Sequence, residues 1–326
     1  MKALVTGATG FAGGHLAKFL VARGDSVRVL VRSATQTALP ALAGMEAVVG
    51  DLQATEDLFR VVDGVDVVYN VAALYRQAGL PEATYRKVNA EAPGAIVDAC
   101  ARAGVRRVVH CSTVGVHGDI EHPPADEDAP LRPGDVYQVT KLEGEERARD
   151  RARHGGVELV IVRPSGIYGA GDRRLLKLFR GIARRRFVIL GDGEIFYHLT
   201  HIDDLVEGFR LAATVAAAAG RTYILAGGEV TTLNELVRII GVEAGVPGEP
   251  WHLPVWPFWV AGAACETLCA PFGVEPPLYR RRVDFFTKSR AFDITRARTE
   301  LDFRPLVTLR DGVHRTLAWY RAEGWL

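Results

Sequence analysis

Thr6-Gly7-Ala8-Thr9-Gly10-Phe11-Ala12-Gly13 is the stretch from which the fold is read. A short apolar run, Ala3 to Val5, leads into it. A helical pattern through His15, Leu16, Phe19 and Leu20 follows and ends at Gly24. Strand, glycine-rich turn and helix in that order open a dinucleotide-binding unit. Each glycine has its own task. Gly7 permits the tight turn, Gly10 lets backbone approach a pyrophosphate, and Gly13 lets the helix pack close to the strand. The helix then offers unpaired N–H groups and the positive end of its dipole to phosphate.

Outward from that turn the chain alternates. Val27 to Val31 reads as a second strand, followed by Arg32 and Ser33 where such folds often place an acid for the ribose 2′-hydroxyl. With no carboxylate to repel a 2′-phosphate and a guanidinium to grip one, NADP is expected over NAD, which stays open. Val48 to Leu52 and Val65 to Asn70 read as strands three and four, the latter running into the small residues Val71, Ala72 and Ala73. Glu56 to Val62 and Thr84 to Ala103 read as helices. This alternation predicts a parallel, doubly wound α/β sheet. Asn89 falls in the second helix, and spacing alone gives no reason to single it out.

Arg107 to Cys111 is the fifth strand and delivers Ser112 and Thr113 at its carboxyl end. A loop from Asp119 to Pro133, rich in acid and proline, reads as too polar to be core. Tyr137 and Lys141 then stand four apart on the next helix, hence on one face. A phenol is a poor acid or base at neutral pH, and a neighbouring ammonium lowers its pKa.

Composition narrows the partners. The 326 residues carry 40 Lys and Arg against 39 Asp and Glu, so no net field attracts nucleic acid. The chain opens on a strand, and no run of about twenty residues is free of charge and proline, so a cytoplasmic protein without a transmembrane segment is expected. The nearest candidate, Leu253 to Phe272, is broken by Pro254, Pro257, Glu266 and Pro271. Cys100, Cys111, Cys265 and Cys269 form no C-x-x-C pair and read as buried reduced thiols rather than metal ligands.

A glycine-rich turn, Ser or Thr after strand five, and Tyr-x-x-x-Lys, in this order, resemble the short-chain dehydrogenase/reductase superfamily. The spelling T-G-A-T-G-F-A-G resembles its extended branch, the NAD-dependent epimerase/dehydratase family, as do Gly50-Asp51-Leu52, Asn89, Arg163-Pro164, Ile167-Tyr168-Gly169, Gly191-Asp192-Gly193, His201-Ile202-Asp203-Asp204 and F-D-I-T-R-A-R-T-E-L-D-F-R-P. The resemblance implies a Rossmann-type doubly wound sheet with a smaller, mostly C-terminal α/β substrate region. Residues 1–165 would bind the dinucleotide and 166–326 the substrate, with about 195–226 returning to the first part. It implies Tyr137 as the acid/base, Lys141 as its tuner and ribose ligand, and Thr113, with Ser112 as runner-up, as the hydroxyl on the reacting oxygen. Gly7, Thr9, Gly10, Phe11 and Gly13 would hold the pyrophosphate, Asp51 and Leu52 flank the adenine, and Arg32, Val71, Ala72, Ala73 and Pro164 complete the cofactor site. Asn89 would support a proton relay. A homodimer is also implied.

Two departures argue against a nucleotide sugar. Gly166 stands where sugar-acting members carry Asn, and Tyr197 where they carry Arg. The spelling R-P-S-G-I-Y-G-A-G-D looks more like the 3β-hydroxysteroid dehydrogenase-like and dihydroflavonol-reductase-like members, which act on large apolar alcohols or ketones. The alternative is a nucleotide-sugar epimerase or dehydratase; the least favoured alternative is a non-catalytic redox sensor or scaffold. Gly166 and Tyr197 are candidate substrate positions, with Asn89 and Ser112. The aromatic stretch from Trp251 to Phe286 reads most simply as core, with a pocket lid or a peripheral membrane contact as alternatives. Arg184 to Arg186 and Arg280 to Arg282 read as solvated faces, or else as anion sites. His198 and His201 lack a third metal ligand, and Asp203 and Asp204 are expected to cap the next helix.

Overall fold

The computed structural model describes residues 1–77, 79–269 and 283–326. Seven parallel strands build the central sheet: β1 (Lys2–Thr6), β2 (Ser26–Val31), β3 (Glu46–Val49), β4 (Val67–Asn70), β5 (Arg107–Cys111), β6 (Glu158–Pro164) and β11 (Thr222–Leu225). Their spatial order is β11-β6-β5-β4-β1-β2-β3, so the chain reverses direction across the sheet between β1 and β4. Alternate residues of each strand feed opposite cores. Val5, Val29, Tyr69, Val109 and Val162 pack against Leu16 and Leu20 of α1 (Phe11–Ala22) and Leu205 and Phe209 of α7 (Ile202–Thr214). Leu4, Leu30, Val68, Val108 and Ile161 pack against α2 (Thr55–Val62), α4 (Ala92–Ala103) and α5 (Val136–Gly155) through Leu58, Ile96, Val97 and Ala148. Helices on both faces make this a Rossmann-type sheet. Its carboxyl edge near the reversal gathers the ends of β1, β4 and β5.

Three local departures from the sequence reading matter. The expected helix 84–103 is broken into α3 (Glu82–Tyr85), a π-helical turn (Arg86–Glu91) and α4. Pro93, in the first turn of α4, lacks the N–H that a continuous helix requires there. The Asp119–Pro133 loop is not wholly solvent-facing. Ala125 and Glu127 are buried, and the Glu127 carboxylate accepts the Ile224 N–H at 2.8 Å, so the loop seals β11. The third strand begins at Glu46 and stops at Val49, ahead of Gly50 and Asp51.

Beyond β6 the chain adds short pairs: β7 (Gly166–Tyr168) with β10 (Leu199–His201), β8 (Val188–Leu190) with β13 (Trp251–Leu253), and β9 (Phe196–Tyr197) with β12 (Thr231–Thr232). A third core joins α6 (Leu176–Ala183), α8 (Leu233–Ala244) and α12 (Leu309–Ala322) through Phe179, Ile240, Val313, Leu317 and Tyr320. The remaining helices are α9 (Trp256–Cys269), α10 (Asp284–Thr287) and α11 (Thr295–Leu301). His201, not an aspartate, caps α7, its ring accepting the Asp203 N–H. Asp204 instead accepts Leu306 and Val307 N–H, fastening the C-terminal segment. The core reading of the aromatic stretch holds for Phe285 and Phe286, which pack against this third core, but Trp251, Trp256 and Trp259 are 79%, 69% and 51% exposed. Phe272, Tyr279 and Arg280 to Arg282 lie outside the described residues. Cys100 is buried, whereas Cys111, Cys265 and Cys269 are half-buried, and all four are free thiols. Among the described residues no helix is long and apolar enough to cross a membrane.

Candidate active site

The glycine-rich turn has no room for side chains. Gly7 has φ of 73°, and a Cβ there would stand 2.8 Å from the Ala72 Cα. A Cβ on Gly13 would stand 2.3 Å from the Gly7 carbonyl oxygen. Gly10 caps α1 without a side-chain hydrogen bond, and the first turn holds no acid, so its N–H groups point outward unneutralised. A tight turn, bare N–H donors and small residues opposite are a cradle that fits a dinucleotide pyrophosphate. Thr9 is exposed, Phe11 half-buried and Gly13 buried. Arg32 is exposed at the end of β2, where its backbone N–H meets Gln36. Asp51 is exposed and its carboxylate accepts the Gln53 N–H, with Leu52 half-buried beside it. Val71 and Ala72 are half-buried, Ala73 is exposed, and Pro164 ends β6 in the interior. Gly13→Ala is expected to weaken dinucleotide binding more than tenfold, about 1.4 kcal/mol or more, as read by fluorescence titration, because backbone cannot yield cheaply to the added methyl.

The candidate reactive side chains lie just after β5 and on α5. Asp135 caps α5 by accepting the Gln138 N–H, which starts the helix just ahead of Tyr137. Thr113 Oγ1 accepts the Gly115 N–H at 3.0 Å, leaving the hydroxyl hydrogen available to an incoming oxygen. Gly115 packs directly on Gln138, so Thr113 shares a corner with the first turn of α5. Lys141 is 1% exposed and its Nζ donates to the Cys111 carbonyl at 2.6 Å. Ser112 points elsewhere: it is buried beside Glu145, two turns along α5 from Tyr137. A buried bidentate pair fixes this helix. Arg163 of β6 donates to both Glu145 oxygens at 2.9 and 2.7 Å.

Burial dominates the site's electrostatics. It pushes the Tyr137 phenol up, helped by Cys111 and Tyr75 and opposed by Arg76 and Arg174. The expected lowering by Lys141 is not among the main influences. Burial pushes the Cys111 thiol up to about 11, with Lys141 and Arg174 opposing. Burial lowers Lys141, against the pull of Cys111 and Glu145.

Other residues around Tyr137 escaped the sequence reading. The Tyr75 ring meets Tyr137 edge-on at 4.9 Å. Arg76 and Arg174 hold their guanidinium carbons 5.4 and 5.9 Å from the Tyr75 ring centre, and Arg174 also lies over Phe11 at 5.6 Å. No spacing or motif marked them, because they converge only in the fold. Asn89 is fully buried, its amide bonded to both Leu74 backbone groups and to Thr140, which puts it behind the site. Gly166 is hemmed in, since a Cβ would lie 2.7 Å from Leu199 Cδ2. Tyr197 is buried with its hydroxyl donating to the Phe285 carbonyl at 2.6 Å. His198 is tied to the Gly227 carbonyl.

Comparison with known proteins gives one answer at the level of family. The model of the NAD-dependent epimerase/dehydratase family matches residues 3–226, more than half of the chain. The chain is 30% identical to a 3-beta-hydroxysteroid dehydrogenase of Mycolicibacterium neoaurum, over 98% of this chain and 91% of that protein. It is also 30% identical to a 2-alkyl-3-oxoalkanoate reductase of Stenotrophomonas maltophilia, over 98% and 99%. Among solved structures it resembles MoeE5 in complex with UDP-glucuronic acid and NAD, at 27% identity and a TM-score of 0.77, covering 99% of this chain and 100% of that one.

Proposed function

The chain belongs to the NAD-dependent epimerase/dehydratase family, an enzyme family, and on that premise we propose that it interconverts a secondary alcohol and a ketone on a bulky, mostly apolar small molecule. The supporting observation is the corner where Thr113 keeps a free hydroxyl hydrogen beside the helix face that carries Tyr137 and the buried Lys141. Residues 1–165 serve the dinucleotide and 166–326 the substrate in this reading. The dinucleotide, when bound, supplies or accepts the hydride. Tyr137 Oη gives a proton to the substrate oxygen in reduction and takes it back in oxidation. Thr113 donates its hydroxyl hydrogen to the same oxygen and holds it in place. Lys141 keeps positive charge behind the phenol.

An apolar substrate is favoured by two described positions of the substrate half. Gly166 offers no side chain, and the Tyr197 hydroxyl is already bonded to backbone. Neither can grip a nucleotide diphosphate. The nucleotide-sugar alternative draws on Arg76 and Arg174, two guanidinium groups close to Tyr137, and on the MoeE5 likeness. Thermal-shift screening separates the two: steroid-like and long-chain ketones are expected to raise the melting temperature with cofactor present. Stabilisation by sugar nucleotides alone would overturn the apolar reading.

The cofactor is proposed to be NADP, with Arg32 on the 2′-phosphate. Arg32→Ala is expected to weaken NADPH binding about tenfold or more and leave NADH binding nearly unchanged, as lost charge-assisted hydrogen bonds dictate. Tighter binding of NADH by the wild type would remove this role.

A further inference from the structure

A buried chain of polar groups runs from the glycine-rich turn to Lys141. Thr6 Oγ1 accepts the Val71 and Ala72 N–H groups, both at 3.1 Å. Its own hydrogen therefore goes to Asn70 Oδ1, 2.9 Å away. That fixes the Asn70 amide, whose nitrogen faces His110 Nδ1 at 3.1 Å. An amide nitrogen only donates, so Nδ1 accepts. His110 is 1% exposed, and burial, Lys141 and Arg149 hold its pKa well below the ordinary value, so the ring is neutral. A neutral imidazole accepting at Nδ1 carries its proton on Nε2. Nε2 lies 3.5 Å from Lys141 Nζ.

This is an unusual pairing for an ammonium. An N–H dipole aimed at –NH₃⁺ opposes the charge, whereas a neutral amine accepts that hydrogen and still donates to the Cys111 carbonyl. We propose that His110 is a positioning residue for Lys141, its Nε2–H weakening the amine's hold on its proton and so setting the alkaline limit of activity. The last part rests on the oxidoreductase reading above. The other groups facing this corner are known. Cys111 of β5 and Glu145 of α5 favour the ammonium, and Glu145 is itself held by Arg163 of β6 and Arg149. Tyr137 precedes Lys141 on α5, with Arg76 and Arg174 bearing on its phenol, and β4 contributes the uncharged Asn70 amide. Burial also lowers Lys141, so the histidine acts in the same direction as its surroundings.

The test uses full-length protein labelled at lysine Cε and histidine nitrogens. In the wild type the histidine spectrum must show His110 with its proton on Nε2, and a proton on Nδ1 would overturn the proposal without any variant. Lys141, assigned by Lys141→Arg, is then titrated by its Cε shift in the wild type, His110→Phe and His110→Gln. Losing the N–H in His110→Phe is expected to raise the Lys141 midpoint by about half a pH unit or more. His110→Gln keeps an N–H donor at the Nε2 position and stays near the wild type. The alkaline limb of kcat/KM moves in the same sense. An unchanged or lower midpoint in folded His110→Phe overturns the proposal. Because the titration needs no turnover, failure of the functional reading would appear separately, as absent ketone reduction with the titration shift intact.

Discussion

Tyr137→Phe is expected to lower turnover about a thousandfold while dinucleotide affinity stays within about twofold of the wild type. The substitution removes one oxygen and keeps the ring. The ring's edge-on contact with Tyr75 survives, and the helix start set by Asp135 is untouched. What disappears is the hydroxyl we propose to exchange a proton with the substrate oxygen. Thr113 would still donate to that oxygen, and such residual polarisation leaves activity above background rather than at zero. Single-turnover kinetics with reduced dinucleotide, alongside a fluorescence titration of binding, separates the two quantities. Turnover within about tenfold of the wild type would dismiss Tyr137 as the acid/base.

Arg163→Leu is expected to destabilise the fold by about 3 kcal/mol, because it leaves the buried Glu145 carboxylate with only the half-exposed Arg149, 3.0 Å away, as a charged partner. Glu145 is fully buried and Arg163 is 2% exposed. Replacing both by leucine should recover most of the loss, since the desolvation cost then vanishes from both sides. The pH dependence follows from the carboxyl's shift. Burial pushes the Glu145 pKa up, but Arg163, Ser112 and Arg149 more than offset this and hold it below the ordinary 4.5. A depressed folded value means the pair's stability is present above the unfolded pKa and is lost as pH falls through the folded one. In Arg163→Leu the carboxyl loses its largest charged partner and keeps only Arg149, so it holds its proton to a higher pH than in the wild type, and the deficit relative to wild type should shrink toward acidic pH. Urea midpoints at neutral and mildly acidic pH measure both effects. Equal stability of the wild type and Arg163→Leu would show that the pair is not what fixes α5 to β6.

How much of this was legible in the sequence differs by distance along the chain. The glycine-rich turn is a local device, and the tight turn and close helix packing read from Gly7 and Gly13 are matched by the clashes a Cβ would make there. The strands alternate with helices, and period-two burial on both faces of β1, β4 and β5 follows from continuous apolar runs. Tyr137 and Lys141 were readable because helical spacing puts them on one face. Asn70 and His110 were not readable. They meet Thr6 and Lys141 only because β1, β4 and β5 are neighbours in the sheet, and no motif encodes a contact between residues 6, 70, 110 and 141. Tyr75, Arg76 and Arg174 were missed for the same reason. Polarity misled at Glu127, whose carboxylate is buried because it satisfies a strand edge. Hydrophobicity misled at Trp251, Trp256 and Trp259, which the core reading placed inside. Asn89 had no local signal because both ends of its amide bond Leu74, fifteen residues away, across a loop.

We propose net redox chemistry on an apolar carbonyl at the Thr113, Tyr137 and Lys141 corner. It is tested most directly by mixing purified protein with reduced dinucleotide and a panel of steroid-like and long-chain ketones, in parallel with sugar nucleotides. The near-ultraviolet absorbance of the reduced ring reports the outcome. Stoichiometric loss of reduced dinucleotide is expected with at least one bulky ketone, matched by formation of the alcohol and abolished in Tyr137→Phe. Conversion of a sugar nucleotide with no net dinucleotide consumption, and no reaction with any ketone, would contradict it.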